Sequence, residues 1–156
     1  MGIRRAGRII ALQSLYQIEI AQKEWKEVEG FIDTYQTLKL DGEEKADEFL
    51  DKSKEFAKDL VKGVMNNLPE IDGIIPRYLK NWKYDRILSI DRNILRMGVS
   101  ELVFRPDIPY KVTINEMIEL AKRFGDEKSG GFVNGVLDNI FKNEKSNYEA
   151  LRNKTK

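Results

Sequence analysis

The spacing of apolar residues constrains this chain most, because it follows the period of an α-helix along nearly the whole sequence. In residues 71–79, for example, apolar side chains occupy positions i, i+3, i+4, i+7 and i+8. Residues spaced in this way lie on one face of a helix. Similar stripes lie within residues 49–65, 114–124 and 133–141. No stretch alternates apolar and polar residues between turn signals, as a β-strand would. The sequence therefore predicts an all-α fold.

Seven helices are predicted from these stripes and from breaks at proline and glycine, such as the break near Gly42. Their approximate bounds are 3–23, 27–38, 43–66, 69–82, 89–105, 113–124 and 130–147. We expect Ser89 to be the N-cap of the fifth helix. Thr113 and Glu116 have the spacing of a capping box that opens the sixth helix, and Gly125 is expected to end it.

The length of 156 residues suits one domain. We expect a single domain over 1–156, with an N-terminal part of about 1–82 and a C-terminal part of about 83–147. The tail over 148–156 is rich in polar residues and is expected to fray.

Two missing residue types exclude most classes of enzyme. The chain has no cysteine and no histidine, so it lacks the usual zinc ligands and the Ser-His and Cys-His nucleophile pairs. We therefore expect a protein that is not an enzyme and holds no metal or cofactor. No apolar run approaches the ~20 residues that cross a bilayer, and no leader peptide is evident, so we expect a cytoplasmic protein with no membrane contact.

The net charge of +1 means that any surface for nucleic acid must be local. Arg4, Arg5 and Arg8 lie close together, and no acid precedes Glu19. On a helix, Arg5 and Tyr16 would project about 20° apart and roughly 16 Å apart along the axis. Arginines neutralise phosphates and an exposed ring stacks on a base, so this face suits single-stranded nucleic acid. The alternative is a solvated helix start beside a core tyrosine.

Two further features carry charge or glycine near a predicted helix start. Glycines in the segment 125–132 could bring backbone N–H groups against a phosphate. However, Gly131 and Phe132 stand where a P-loop needs Lys and Ser/Thr, so nucleotide hydrolysis is not supported. Phe132 could pack inward or face solvent. Asp91 and Glu101 share the fifth helix, where they either form caps and ion pairs or face a protein partner.

Several long stretches of the sequence resemble the NusB family of bacterial antitermination factors. The resemblance covers most of the chain, and residues 24–60 carry little of it. The stretches are IDRNILRMGVSELVF, IPYKVTINEMIELAKRFG, SGGFVNGVLDNIF and the N-terminal RRAGRIIALQSLYQ.

The resemblance implies two packed, roughly perpendicular three-helix bundles. It also implies binding of boxA RNA together with the ribosomal protein NusE, within an RNA polymerase antitermination complex that acts notably on ribosomal RNA operons. The family's partner-facing acid maps onto Asp91. Its RNA-contacting positions map onto Arg4, Arg5, Arg8, Tyr16, Lys128, Ser129 and Phe132.

Two departures from the family pattern affect the predicted RNA loop. Lys128 stands where the family commonly has an acid or amide, and Gly131 where it commonly has a basic residue. These departures are therefore expected to affect the base contacts of this loop more than its phosphate contacts.

Three alternatives stay open. A NusB-like domain can belong to a ribosomal RNA methyltransferase, although such an enzyme needs a further Rossmann-like domain. The chain could be a purely structural bundle, which would show no salt-sensitive RNA binding. A homodimer could also cover the arginine-rich helix.

Overall fold

The computed structural model describes residues 2–35, 46–80 and 83–154, and within these ranges the chain forms helices and no β-strand. The all-α prediction is therefore confirmed for the described residues. The α-helices are α1 (Ile3–Ala21), α2 (Trp25–Asp33), α3 (Ala46–Asn66), α4 (Leu68–Ile74), α5 (Ser89–Phe104), α6 (Tyr110–Phe124), α7 (Ser129–Asn143) and α8 (Lys145–Lys154). Short 3₁₀ helices cover Ile75–Tyr78 and Tyr84–Arg86.

Some sequence predictions lie outside the described residues. These are the end of the second helix at 38, the break near Gly42, the start of the third helix at 43, the end of the fourth at 81–82 and the last residues, 155–156.

The chain divides into two compact units, an N-terminal unit of Met1–Lys62 and a C-terminal unit of Gly63–Lys156. The division falls within α3, whereas the sequence suggests a division at about residue 82. In the N-terminal unit, α1 packs against α2. Ile10, Leu12, Val28 and Ile32 supply part of its core.

Gly7 allows α1 to approach α3 closely. A Cβ atom at this position would lie 2.7 Å from Cδ1 of Phe56 and 2.8 Å from the backbone oxygen of Ser53. The ring could turn aside, but the backbone oxygen could move only with its helix. Glycine at position 7 therefore sets the distance between the two helices.

In the C-terminal unit, α5 is the central helix and contacts both α6 and α7. Ile94, Leu95 and Met97 are all buried although they project in different directions around the helix, as expected for a helix enclosed by its neighbours. A Cβ atom at Gly98 would lie 2.7 Å from Cδ1 of Leu137 on α7. The small residue thus permits close packing of α5 and α7.

The predicted helix caps are wrong in their details. The N-cap of α5 is Leu88, and Ser89 is the first helical residue. Helix α6 begins after Pro109, so Thr113 lies inside the helix, where its hydroxyl donates a hydrogen bond to Oε1 of Glu101. Gly125 does follow the last residue of α6, but its φ of −92° is not left-handed.

The fourth helix is also shorter than predicted. Helix α4 ends at Ile74 and continues as a 3₁₀ helix over Ile75–Tyr78. Pro76 has no backbone N–H and therefore cannot continue the hydrogen bonds of an α-helix.

The expected frayed tail instead contains α8, and its buried residues explain why. Tyr148 and Leu151, three residues apart, are both buried. The side chain of Glu144, just before α8, accepts hydrogen bonds from the Tyr78 hydroxyl at 2.8 Å, from Arg77 at 3.1 Å and from the Asn147 amide. Burial alone would raise the pKa of Glu144, but these hydrogen bonds outweigh it and lower the pKa.

We predict that Gly7→Ala lowers the free energy of unfolding by at least about 1 kcal/mol, because overpacking against backbone cannot be relieved by a rotamer change. Gly30→Ala is the matched control, since this helical glycine has no atom within 4 Å of its would-be Cβ. The control should be neutral or stabilising by up to about 1 kcal/mol. Urea unfolding of both variants measures the difference. A Gly7→Ala protein as stable as the parent would show that α1 and α3 do not meet here.

Candidate nucleic-acid interface

The N-terminal turn of α1 is basic, and its three predicted arginines have different environments. Arg4 and Arg5 are exposed, whereas Arg8 is only 2% exposed. The guanidinium carbons of Arg4 and Arg8 lie 5.8 Å and 5.3 Å from the centroid of the Phe56 ring. The first turn contains no acidic residue, so the exposed cations add to the positive end of the helix dipole. Arg4 and Arg5 can meet a ligand from solvent, whereas Arg8 packs against Phe56.

Tyr16 lies further along α1 and is 41% exposed. Its neighbours Leu12 and Leu15 are buried, so α1 directs its apolar stripe inward and leaves Tyr16 on its outer side. The alternative that Tyr16 is a core residue is therefore excluded.

In the C-terminal unit, the turn before α7 is closed by its own side chains. The backbone N–H of Lys128 donates to Oδ1 of Asp126 at 2.9 Å. The backbone N–H of Asp126 donates to Oγ of Ser129 at 3.0 Å. Ser129 is buried, whereas Lys128 is exposed. The Ser129 hydroxyl, which we predicted to contact RNA, is thus enclosed and shapes the turn that presents Lys128.

Phe132 lines a cleft of about 410 Å³ together with residues from two other segments. The lining residues are Arg86, Ile87, Leu88, Asp91, Asp126, Lys128 and Phe132. The Phe132 ring is thus neither fully buried nor fully exposed, and it lies beside cations. Sequence reasoning missed Arg86 and Leu88, since nothing in the sequence places them beside the start of α7.

A hydrogen-bonded network holds the segment before α5, which forms one wall of this cleft. Arg96 donates to both carboxylate oxygens of Asp72, at 2.9 Å and 3.0 Å, and the Tyr84 hydroxyl donates to the same carboxylate at 2.6 Å. Arg92 donates to the backbone oxygen of Tyr84 at 3.0 Å. Burial and the hydrogen bond to Asp72 raise the pKa of Tyr84. The network therefore fixes the segment that carries Arg86 and Leu88.

Asp91, in the first turn of α5, is 6% exposed and also lines the cleft. Its Oδ1 atom is buried and has no hydrogen-bond donor among the described residues. Burial raises the pKa of Asp91, an interaction with the Ser129 hydroxyl partly offsets this, and the charge of Asp126 raises the pKa further. A carboxylate in this position can accept a hydrogen bond from a ligand that enters the cleft.

Glu101, which we predicted to face a partner, lies in the interior of the C-terminal unit. Glu101 is 0% exposed, and the Thr113 hydroxyl donates to its Oε1 at 3.1 Å. This carboxylate lies between α5 and α6 and cannot reach a partner in this structure.

The described residues contain no cluster of three or more His, Cys, Asp or Glu that could hold a metal ion. None of their helices combines the length and the apolar character needed to cross a membrane.

The chain is similar in sequence to transcription antitermination proteins. The model of the NusB family matches residues 5–142. The transcription antitermination protein NusB of Myxococcus xanthus is 47% identical over 140 residues, which cover 90% of this chain and 95% of that protein. NusB of Bacillus licheniformis is 47% identical over 137 residues, which cover 88% of this chain and 95% of that protein.

Solved structures agree with this likeness. NusB of T. maritima matches with a TM-score of 0.74 and 39% identity, covering 90% of this chain and 91% of that one. A NusB chain in a complex of NusB and NusE with double-stranded RNA matches with a TM-score of 0.70 and 30% identity, covering 90% and 96%. Fold and comparisons together define an all-helical transcription factor. The chain belongs to the NusB family, whose named relatives are transcription antitermination proteins.

We predict that Tyr16→Ala and Phe132→Ala both stay folded and each weaken RNA binding by about 1–3 kcal/mol, the range for one ring stacked on one base. Tyr35→Ala is the matched control, because Tyr35 is a buried tyrosine of the N-terminal unit and should cost about 3–5 kcal/mol of stability, as large core truncations do. Thermal unfolding and RNA titration separate the two effects. A Phe132→Ala variant that unfolds early and binds RNA normally would make Phe132 a packing residue.

Proposed function

We propose that this protein is an antitermination factor that binds boxA-type single-stranded RNA together with the ribosomal protein NusE. It then joins the RNA polymerase antitermination complex, notably on ribosomal RNA operons, and acts in the cytoplasm. The observation that carries the proposal is the exposure of Arg4, Arg5 and Tyr16 on α1 in a chain of the NusB family.

The chemistry of these groups supports RNA as the ligand. Arginines neutralise phosphates with charge-assisted hydrogen bonds, and a tyrosine ring offers its face to an unstacked base. In the C-terminal unit, Lys128 and Phe132 repeat this pairing of a cation with a ring at the cleft. The protein contributes binding and positioning, and no chemical step is assigned to it.

The cleft residue Asp91 supports a protein partner. Its buried Oδ1 atom without a donor is costly unless a hydrogen bond forms on binding. One related structure contains NusB with NusE. We therefore assign to Asp91 a contact with a donor group of NusE, while Glu101 is left out of the interface.

The salt dependence of RNA binding tests the role of the arginines. In Arg4→Gln/Arg5→Gln, the slope of log K against log salt should become shallower by about 1.4, at ~0.7 per phosphate contact on a single strand. Arg8→Gln should instead lower stability and leave the slope nearly unchanged, because Arg8 is buried against Phe56. Lys26→Gln, which removes an exposed charge on α2, is the control. An unchanged slope in the double variant would exclude phosphate contacts by Arg4 and Arg5.

Substitution of Asp91 tests the partner contact. Asp91→Asn keeps the shape of the side chain but removes its charge, so the affinity for NusE should fall by about 1.5–3 kcal/mol, the range for a hydrogen bond to a charged group. RNA binding by the chain alone should change little. Asp85→Asn, on an exposed side chain of the preceding segment, serves as control. Normal NusE affinity in a folded Asp91→Asn protein would remove Asp91 from the interface.

A further inference from the structure

Tyr110, at the start of α6, and Phe141, near the end of α7, form a second aromatic feature in the C-terminal unit. Their ring centroids lie 3.8 Å apart and their planes differ by 10°. Aromatic pairs more often adopt offset or edge-to-face arrangements, so this nearly parallel pair is unusual. Despite the stack, Tyr110 remains 37% exposed.

Two lysines flank the ring pair. Nζ of Lys145 lies 4.4 Å from the centroid of the Phe141 ring. Lys142 forms an ion pair with Asp138 at 2.8 Å, and its side chain is 64% exposed. The hydrogen bond that the Lys142 ammonium donates to the Asp138 carboxylate, together with the negative charge of that carboxylate, raises the pKa of Lys142. We call Tyr110, Phe141, Lys142 and Lys145 the aromatic–lysine patch.

The patch is separate from the cleft at the start of α7. Phe141 follows Phe132 by nine residues on the same helix, which places it about 14 Å further along the axis and on the opposite side, about 180° away. Lys145 also lies beyond the stretch that the NusB family model matches, which ends at residue 142.

We propose that the aromatic–lysine patch is a second contact site for single-stranded RNA, independent of base sequence. A base extends the ring pair by stacking on Tyr110, and Lys142 and Lys145 contact adjacent phosphates. This combination of stacked rings and cations is the usual chemistry of single-strand binding without sequence preference. A protein partner is less well matched, because the patch offers a flat ring face rather than an apolar pocket. The inference rests on the proposed role of the chain in holding RNA.

A second contact of this kind makes affinity depend on RNA length. An RNA bound at the boxA site raises the effective concentration of its own flanking strand at the patch. RNA with a long single-stranded tail should therefore bind more tightly than the boxA element alone, and the slope against salt should be steeper by about 1.4, at ~0.7 for each of two lysines.

Four RNAs and the full chain test the proposal. The RNAs are a boxA-type oligonucleotide, the same element with a long oligouridine tail at its 5′ end, the same element with that tail at its 3′ end, and oligouridine alone. The variants are Tyr110→Leu, which keeps an apolar side chain, and Lys142→Gln/Lys145→Gln. Lys52→Gln is the control, because Lys52 forms the same kind of i,i+4 ion pair, with Glu48.

The parent should bind one of the tailed RNAs at least fivefold more tightly than boxA alone. Both variants should lose this gain, bind boxA alone as the parent does and bind oligouridine several-fold more weakly.

If the tail gives no gain in the parent, or if the lysine variant keeps the gain, the proposal is overturned while the proposed function stands. If the parent binds oligouridine but shows no preference for the boxA element, the proposed function is overturned and the proposed role of the patch stands. If Tyr110→Leu fails to fold, the loss or retention of the tail's gain in Lys142→Gln/Lys145→Gln decides the proposal. A loss of NusE affinity with RNA binding unchanged would make the patch a protein contact and overturn the proposal.

Discussion

The burial of α5 on most of its sides is the constraint on which the C-terminal unit depends. Its side chains are enclosed in several directions at once, so the polar groups it carries inward need partners within the protein. Glu101 accepts a hydrogen bond from Thr113 of α6, and Asn93 donates to the backbone of Ser89. Only glycine at position 98 admits the Leu137 side chain at the observed distance. These contacts fix α6 and α7 against α5.

The candidate site follows from this packing. Since α5 is fixed, Asp91 in its first turn is held at the edge of the unit, beside the start of α7 and the segment before α5. Ser129 interacts with Asp91 and also closes the turn that presents Lys128. The proposed partner contact and the proposed RNA loop are thus joined through one buried hydroxyl. In the N-terminal unit the equivalent constraint is the close approach at Gly7, which places Phe56 beside Arg4 and Arg8.

Periodicity was sufficient to predict the fold class and the positions of most helices, because apolar spacing reports directly on which face is buried. The same spacing placed Tyr16 at nearly the same angle as Arg5 around the helix, but it left open whether the ring faces solvent or the core. Burial of polar residues could not be predicted in this way. Arg8, Glu101 and Ser129 carry groups that usually face solvent, and only tertiary contacts show that they are enclosed.

Local signals also failed where a stronger constraint was present. The capping motif at Thr113 gave way to a helix that begins after Pro109, and Pro76 shortened α4. The buried pair Tyr148 and Leu151 was the available signal for α8, but the surrounding polar residues suggested a frayed tail. Arg86 and Leu88 became part of the cleft only through the network of Asp72, Tyr84 and Arg96.

We propose that each unit offers RNA a surface made of cations and a ring. Backbone amide chemical shifts during titration of the labelled protein with boxA-type RNA test it most directly. The account predicts that the largest changes fall around Arg4, Arg5 and Tyr16 in the N-terminal unit and around Lys128 and Phe132 in the C-terminal unit. Unchanged amide chemical shifts in both regions, in a titration where RNA binding is detected by other means, would contradict this proposal.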